Sequence, residues 1–140
     1  MLGGVMEALR EALTSPWLHW LGLLFLCSAY LQGPFDKLRD FRGAVAEMRH
    51  FGLRPALPFA AFTIVFELTA SALVLTGWYR WAGALGLGRF TVLANFMADR
   101  FWGLQKPERS QVANSFFEHW GLTGGFLLVA WHDLGGRDVF

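Results

Sequence analysis

The stretch AFTIVFELTASALVLTG, Ala61 to Gly77, contains one charge, Glu67, and no other charge lies between Arg54 and Arg80. A helix needs ~20 mostly apolar residues to cross a bilayer. In lipid only helices and closed barrels satisfy their own backbone hydrogen bonds. This run is far too long for a barrel strand, so it reads as a membrane-spanning helix.

Working outward, three more apolar runs qualify or nearly do, giving predicted spans over 17–35, 57–79, 81–102 and 112–131. The tight linker GWYRWAG, Gly77 to Gly83, makes the second and third an antiparallel hairpin. The expected fold is therefore an all-α membrane protein, an antiparallel four-transmembrane-helix bundle in one domain over 1–140. Composition agrees. The 140 residues are 54% hydrophobic and 16% charged, with mean hydropathy +0.36, against ~25% charged in an ordinary soluble domain. A net charge of +1 provides no basic field for nucleic acid, so the bilayer is the expected partner.

Residues 1–15 read as an amphipathic helix. Leu2, Val5, Met6, Leu9 and Leu13 lie on one side, with Glu7, Arg10 and Glu11 on the other. A secretory signal is disfavoured, because the run from Trp17 to Leu31 ends without a small-residue cleavage pattern and further apolar runs follow. The segment from Asp36 to Pro55 is basic and amphipathic. It reads as an interfacial half-helix whose Phe41, Val45, Met48 and Phe51 dip into lipid.

Aromatic and basic residues suggest the orientation. Trp17, Trp20, Trp78, Tyr79, Trp81 and Trp131 would form a belt on the side of the termini. That side carries Arg10, Arg80 and Arg137. The opposite side carries Lys37, Arg39, Arg42, Arg49, Arg54, Arg100, Lys106 and Arg109. The excess of positive charge places the second side in the cytoplasm. The expectation is a multi-pass protein of the inner (plasma) membrane with both termini non-cytoplasmic.

A carboxylate inside a span costs several kcal/mol unless it faces inward and is paired. Arg89, in ALGLGRFTVLANFMA, lies at a similar distance from the hairpin turn. At ~1.5 Å per residue the depths of Glu67 and Arg89 differ by only ~4 Å, which predicts an intramembrane Glu67–Arg89 ion pair. Thr63, Ala70, Ser71 and Val74 share the Glu67 side. Such a pair is either a register staple or a functional site. Gly121 and Gly125 on the fourth span read as a close-approach packing groove.

A second polar cluster gathers near the cytoplasmic ends: Lys37, Asn95, Asp99, Trp102, Glu118 and His119. Such a set suits a polar head group, a quinone ring or a lipid phosphate, or a protein partner. Cys27 is the sole cysteine, which excludes an intrachain disulfide and a CxxC dithiol. His19 and His132 share one membrane face, as a bis-His haem requires, but neither lies deep in its span. No two histidines have metal-ligand spacing on one helix, so no metal site is expected. No Ser-His-Asp order, phosphate loop or HExxH occurs, and no self-sufficient catalytic motif is present.

Four stretches carry a family resemblance. They are LGLLFLCSAYLQGPFDKLRDF (Leu21 to Phe41), HFGLRPALPFAAFTIVFELTASALVLTG (His50 to Gly77), FMADRFW (Phe96 to Trp102) and SFFEHWGLTGGFLLVA (Ser115 to Ala130). Together they resemble the DoxX family of small four-helix membrane proteins. Glu67-Leu68 and Gly124-Gly125 are the more specific elements. The pattern departs where the family often has His, at Asp99, and Asn, at His119, as in a swapped polar pair. The resemblance implies a membrane subunit anchoring or supporting a redox complex, with quinone as the cofactor it suggests and other subunits as partners. A scaffold or assembly factor without chemistry is the alternative, and a small transporter or proton-conducting module a further one.

Overall fold

The computed structural model describes residues 1–135. Among them the chain is all-helical: α1 Leu2–Leu13, α2 Pro16–Arg39, α3 Phe41–His50, α4 Ala56–Thr76, α5 Arg80–Ala98, a 3-10 turn Phe101–Gly103, and α6 Glu108–Gly135. Arg137, one of the charges used for orientation, lies outside the described residues.

Local signals set the boundaries. Ser15 caps α2, its hydroxyl accepting from Leu18 N at 3.3 Å, and Pro16 occupies the first turn, where a missing N–H costs nothing. Gly77 ends α4 in the left-handed region (φ 84°), a conformation that only glycine adopts freely. The helices depart from the expected spans at their ends. α2 runs past residue 35 to Arg39 and α6 extends beyond 112–131 in both directions, because polar residues continue the helical hydrogen bonding outside the apolar runs. α5 stops at Ala98 and the chain turns through the 3-10 segment, short of residue 102.

By length and apolarity α4 is the one described helix that qualifies outright as a span, with mean hydropathy 1.9. α1 and α2 together also qualify, though they are bent by 50° at their junction. α2, α5 and α6 carry charges or polar residues within their lengths that dilute the signal: Asp36, Lys37 and Arg39; Arg80 and Arg89; Glu118, His119 and Asp133.

The long helices pack α2 on α4, α4 on α5 and α5 on α6, with a sparser α2–α6 seam. Leu23, Cys27 and Tyr30 of α2, Ala70 and Val74 of α4, Ala84 and Leu87 of α5, and Phe126 and Ala130 of α6 form one core. Gly83 brings α5 against α4 so closely that a Cβ there would sit 2.6 Å from Ala70 O. Trp20 Nε1 donates to Leu75 O (3.1 Å), tying α2 to the end of α4.

A smaller core sits under α3. Ala44, Val45 and Met48 pack on Ala56 and Ala60 of α4. This corrects part of the interfacial reading: the segment is helical and amphipathic, but Val45 and Met48 are buried against α4 instead of facing lipid. α1 buries no residue.

Large apolar side chains face outward along the long helices, while a few polar groups are buried within the apolar core. Thr63, Glu67, Ser71, Thr91, Asn95 and Thr123 are buried, while Phe25 (66% exposed), Phe62 (64%), Leu93 (57%) and Leu128 (67%) face outward from α2, α4, α5 and α6. Single exposed apolar residues are ordinary, whereas extensive exposed apolar surface marks a protein or membrane contact.

Candidate functional site: a buried acid beside a polar cleft

Glu67 sits halfway along α4, its side chain 5% exposed. The buried stripe Thr63, Glu67, Ser71 and Val74 follows helical spacing and points it at α2. Its partner is Lys37, in the last turn of α2, with Nζ 3.9 Å from Glu67 Oε1. Gly33, one turn earlier on α2, leaves the room: a Cβ there would stand 3.3 Å from Glu67 Oε2.

The pair expected from depth, Glu67 with Arg89, does not form. The buried face of α5 is Ala84, Leu87, Gly88, Thr91 and Asn95, and Arg89 falls two positions after Leu87, on the exposed side. Depth placed the two residues on a level, but helical phase turned the guanidinium outward.

Lys37 also lines an open cleft of ≈ 570 Å³ between α2 and α3, with Gly33, Asp36, Asp40, Gly43 and Glu47. Asp40 is the N-cap of α3, its Oδ1 accepting from Gly43 N at 3.1 Å. Gln32 hydrogen-bonds Asp36 across one turn. The cleft thus presents mixed charge at the helix ends, with the Lys37 ammonium between it and the buried carboxylate. A ligand bearing both a donor and an acceptor would find complements here.

The second expected cluster comes together only in part. Asp99 Oδ2 and His119 Nδ1 lie 3.5 Å apart, and the same His119 nitrogen is 2.6 Å from Ser115 O. Asn95 Nδ2 donates to Phe116 O at 2.9 Å, joining α5 to α6. Asn95 Oδ1 is buried and has no hydrogen-bond partner among the described residues. Trp102 packs edge-on against Phe116, ring centroids 5.6 Å apart, within an aromatic cluster that includes Phe96 and Phe101. Glu118 points outward and is exposed. Lys37 does not join this group; it belongs to the Glu67 site.

Sequence reasoning missed the Tyr30–Thr91 hydrogen bond, which crosses the core from α2 to α5. It also missed Gly33, Asp36, Asp40 and Glu47 as cleft residues. Tyr30 was legible as the one hydroxyl-bearing aromatic in the first apolar run, but its partner was not. The His19 and His132 rings meet across the α2–α6 seam with centroids 5.5 Å apart. Among the described residues no three His, Cys, Asp or Glu side chains gather in an arrangement that could hold a metal ion.

A family model described as DoxX matches residues 20–100, more than half of the chain, from the first turns of α2 through the end of α5. The matched region contains both members of the buried pair and the whole cleft. No curated protein and no solved structure matches the chain.

Proposed function

The chain belongs to the DoxX family, and on that premise we propose that it is an integral membrane subunit that anchors or supports a redox complex. In this reading α2, α4, α5 and α6 each cross the inner membrane as a four-helix bundle. The apolar exterior around a buried Lys37–Glu67 pair carries the membrane part of the proposal, because intramembrane ionisable groups normally face the protein interior. At 19 to 28 residues, each helix reaches the ~17–25 residues that spanning helices use.

The redox part rests on the family. The cleft at Lys37 is where a quinone ring or another polar head would dock, and the Asp99–His119 pair is a second polar station on the same side, between α5 and α6. Both termini lie on the non-cytoplasmic side, with α3 and the 99–107 connection in the cytoplasm. Reporter fusions at residue 1, within 51–55 and after residue 135 test that orientation: the expected result is a cytoplasmic signal for the middle position alone.

The function is tested by extracting the protein from its native membrane in mild detergent. Co-purification of an oxidoreductase subunit or a quinone in stoichiometric amount, lost in Lys37→Met, is the expected outcome. Recovery of the protein without either would overturn the redox reading and leave the membrane reading standing.

One observation favours the scaffold alternative. α3 turns Arg42, Arg49 and His50 outward while its apolar side is occupied by α4, which leaves a basic face free for an acidic partner. Neutralising Arg42 and Arg49 should abolish partner recovery under that alternative and leave it unchanged if the partner binds through the cleft.

A further inference from the structure

Two outward-facing charges on the long helices find no partner among the described residues. Arg89 on α5 and Glu118 on α6 are both exposed, and neither side chain makes an ion pair or hydrogen bond with any described residue. Arg89 borders a groove between α5 and α6 lined by Gly88, Val92, Thr123 and Leu127. Arg89 is central in α5, and a lone guanidinium held there against lipid is costly even with snorkelling.

The register of α5 on α6 relates the two charges in depth. Trp81 N donates to Asp133 Oδ2 (3.0 Å) near one end and Asn95 Nδ2 to Phe116 O (2.9 Å) near the other. Arg89 is therefore level with the middle of α6, and Glu118 lies ~8 Å away along the axis at ~1.5 Å per residue. Two long side chains leaning toward each other close that gap.

Their positions around α6 matter more. Leu127 marks the Arg89 flank, and Glu118 is nine positions from it, ~180° around a helix of ~3.6 residues per turn. Thr123, Phe126 and Ala130 occupy the inner arc between these flanks and are buried. The outer arc holds Phe117, Gly121, Gly124 and Leu128. Phe117 is 63% exposed, and a Cβ at Gly121 or Gly124 would meet nothing within 4 Å. The outer face of α6 is thus apolar, a groove over Gly121 and Gly124 edged by the exposed Phe117, Leu128 and Trp131, with a cation on one flank and an anion on the other.

That pattern is self-complementary. A two-fold axis along the bilayer normal keeps every residue at its own depth and brings the positive flank of one copy against the negative flank of the other. We infer that two copies of this chain associate through the outer face of α6, closed on both sides by reciprocal Arg89–Glu118 ion pairs. The glycines let the two α6 helices approach closely, as small residues do in membrane interfaces. A second copy is favoured over a foreign helix because this chain already supplies both charges, at compatible depths and on opposite flanks. The inference is independent of the redox reading.

The test is a charge-swap cycle on the full chain in detergent micelles and in nanodiscs, with mass read by native mass spectrometry. Wild type is expected as a dimer, Arg89→Glu and Glu118→Arg each shifted at least tenfold toward monomer, and the double swap Arg89→Glu/Glu118→Arg restored. A fold-independent arm uses intact membranes and a Cys27→Ser background. One tagged copy carries Arg89→Cys and a differently tagged copy carries Glu118→Cys. A pair of the two tags linked by a bismaleimide long enough to span ~10 Å supports the inference, since the ~8 Å offset in depth is beyond a disulfide's reach. A monomeric wild type, a dimer indifferent to both reversals, or a position-89 cross-link that lands on another protein in place of the second copy overturns it.

Discussion

Lys37 Nζ lies 3.9 Å from Glu67 Oε1, so the acid buried in the middle of α4 is answered from the last turn of α2, with Gly33 opening the space between them. The two residues are unequal. Lys37 is 18% exposed at a helix end, and Glu67 is 5% exposed in the interior. A lysine deprived of its partner can swing toward the cleft, whereas the glutamate has nowhere to go.

That asymmetry gives an ordered prediction. Lys37→Met should be the more damaging change, by about 3 kcal/mol, because removing one partner of a buried pair strands the other. Glu67→Gln should cost less, and Lys37→Met/Glu67→Gln should lie close to Glu67→Gln alone. Thermal unfolding in detergent measures all three. If Arg89→Gln lowered the monomer's melting temperature as much as Lys37→Met, the assignment of the partner would be wrong.

Glycine substitutions should separate inner from outer contacts. At Gly83 a Cβ would press on Ala70 O (2.6 Å), Leu73 Cβ (2.9 Å) and Val74 Cγ2 (3.2 Å). Backbone cannot yield as a flexible side chain does, so Gly83→Ala should destabilise by about 1–3 kcal/mol. Gly124→Ala, with no neighbour within 4 Å, should leave the monomer's melting temperature unchanged. The comparison is made under conditions that hold both variants monomeric.

The long helices and the buried stripe on α4 were legible in the sequence because apolar runs and helical spacing are local properties. The Glu67 partner was not. Distance from the hairpin turn puts Arg89 near the level of Glu67, but whether a side chain points inward depends on helical phase. The stripe Ala84, Leu87, Thr91 and Asn95 shows that Arg89 lies off the buried face of α5. Lys37 read as a loop-face residue because the apolar run ends near Phe35, whereas α2 continues to Arg39 and carries the lysine back over the interior. The same effect of tertiary packing buried Val45 and Met48: an amphipathic helix beside a bilayer has the same pattern as one lying on another helix.

Asp133 predicts a local effect at the hairpin. Its Oδ2 accepts from Trp81 N at 3.0 Å, so α6 supplies an acceptor to the first turn of α5, whose N-terminal N–H groups have no helical partners. Asp133→Ala should cost about 0.5–2 kcal/mol, the range for losing a side-chain cap. Hydrogen exchange should show faster amide exchange at 80–83 than in the middle of α5. Unchanged protection there would mean the contact does not hold the helix end.

The Tyr30–Thr91 bond makes the last prediction. Tyr30 is 6% and Thr91 1% exposed, and Thr91 Oγ1 also donates to Leu87 O at 2.7 Å. With that hydrogen committed to the backbone, the hydroxyl of Tyr30 is the donor and Thr91 Oγ1 the acceptor. Tyr30→Phe removes the donor but leaves Thr91 bonded to Leu87, so the loss should be modest, about 1 kcal/mol. Thr91→Val strands the buried phenol without an acceptor and should cost more, about 1–3 kcal/mol. Tyr30→Phe/Thr91→Val should recover part of the Thr91→Val loss, since both polar groups are then gone. Melting temperatures of the three variants decide it. Equal losses for the two single changes would show that the hydroxyls do not share the hydrogen in this direction.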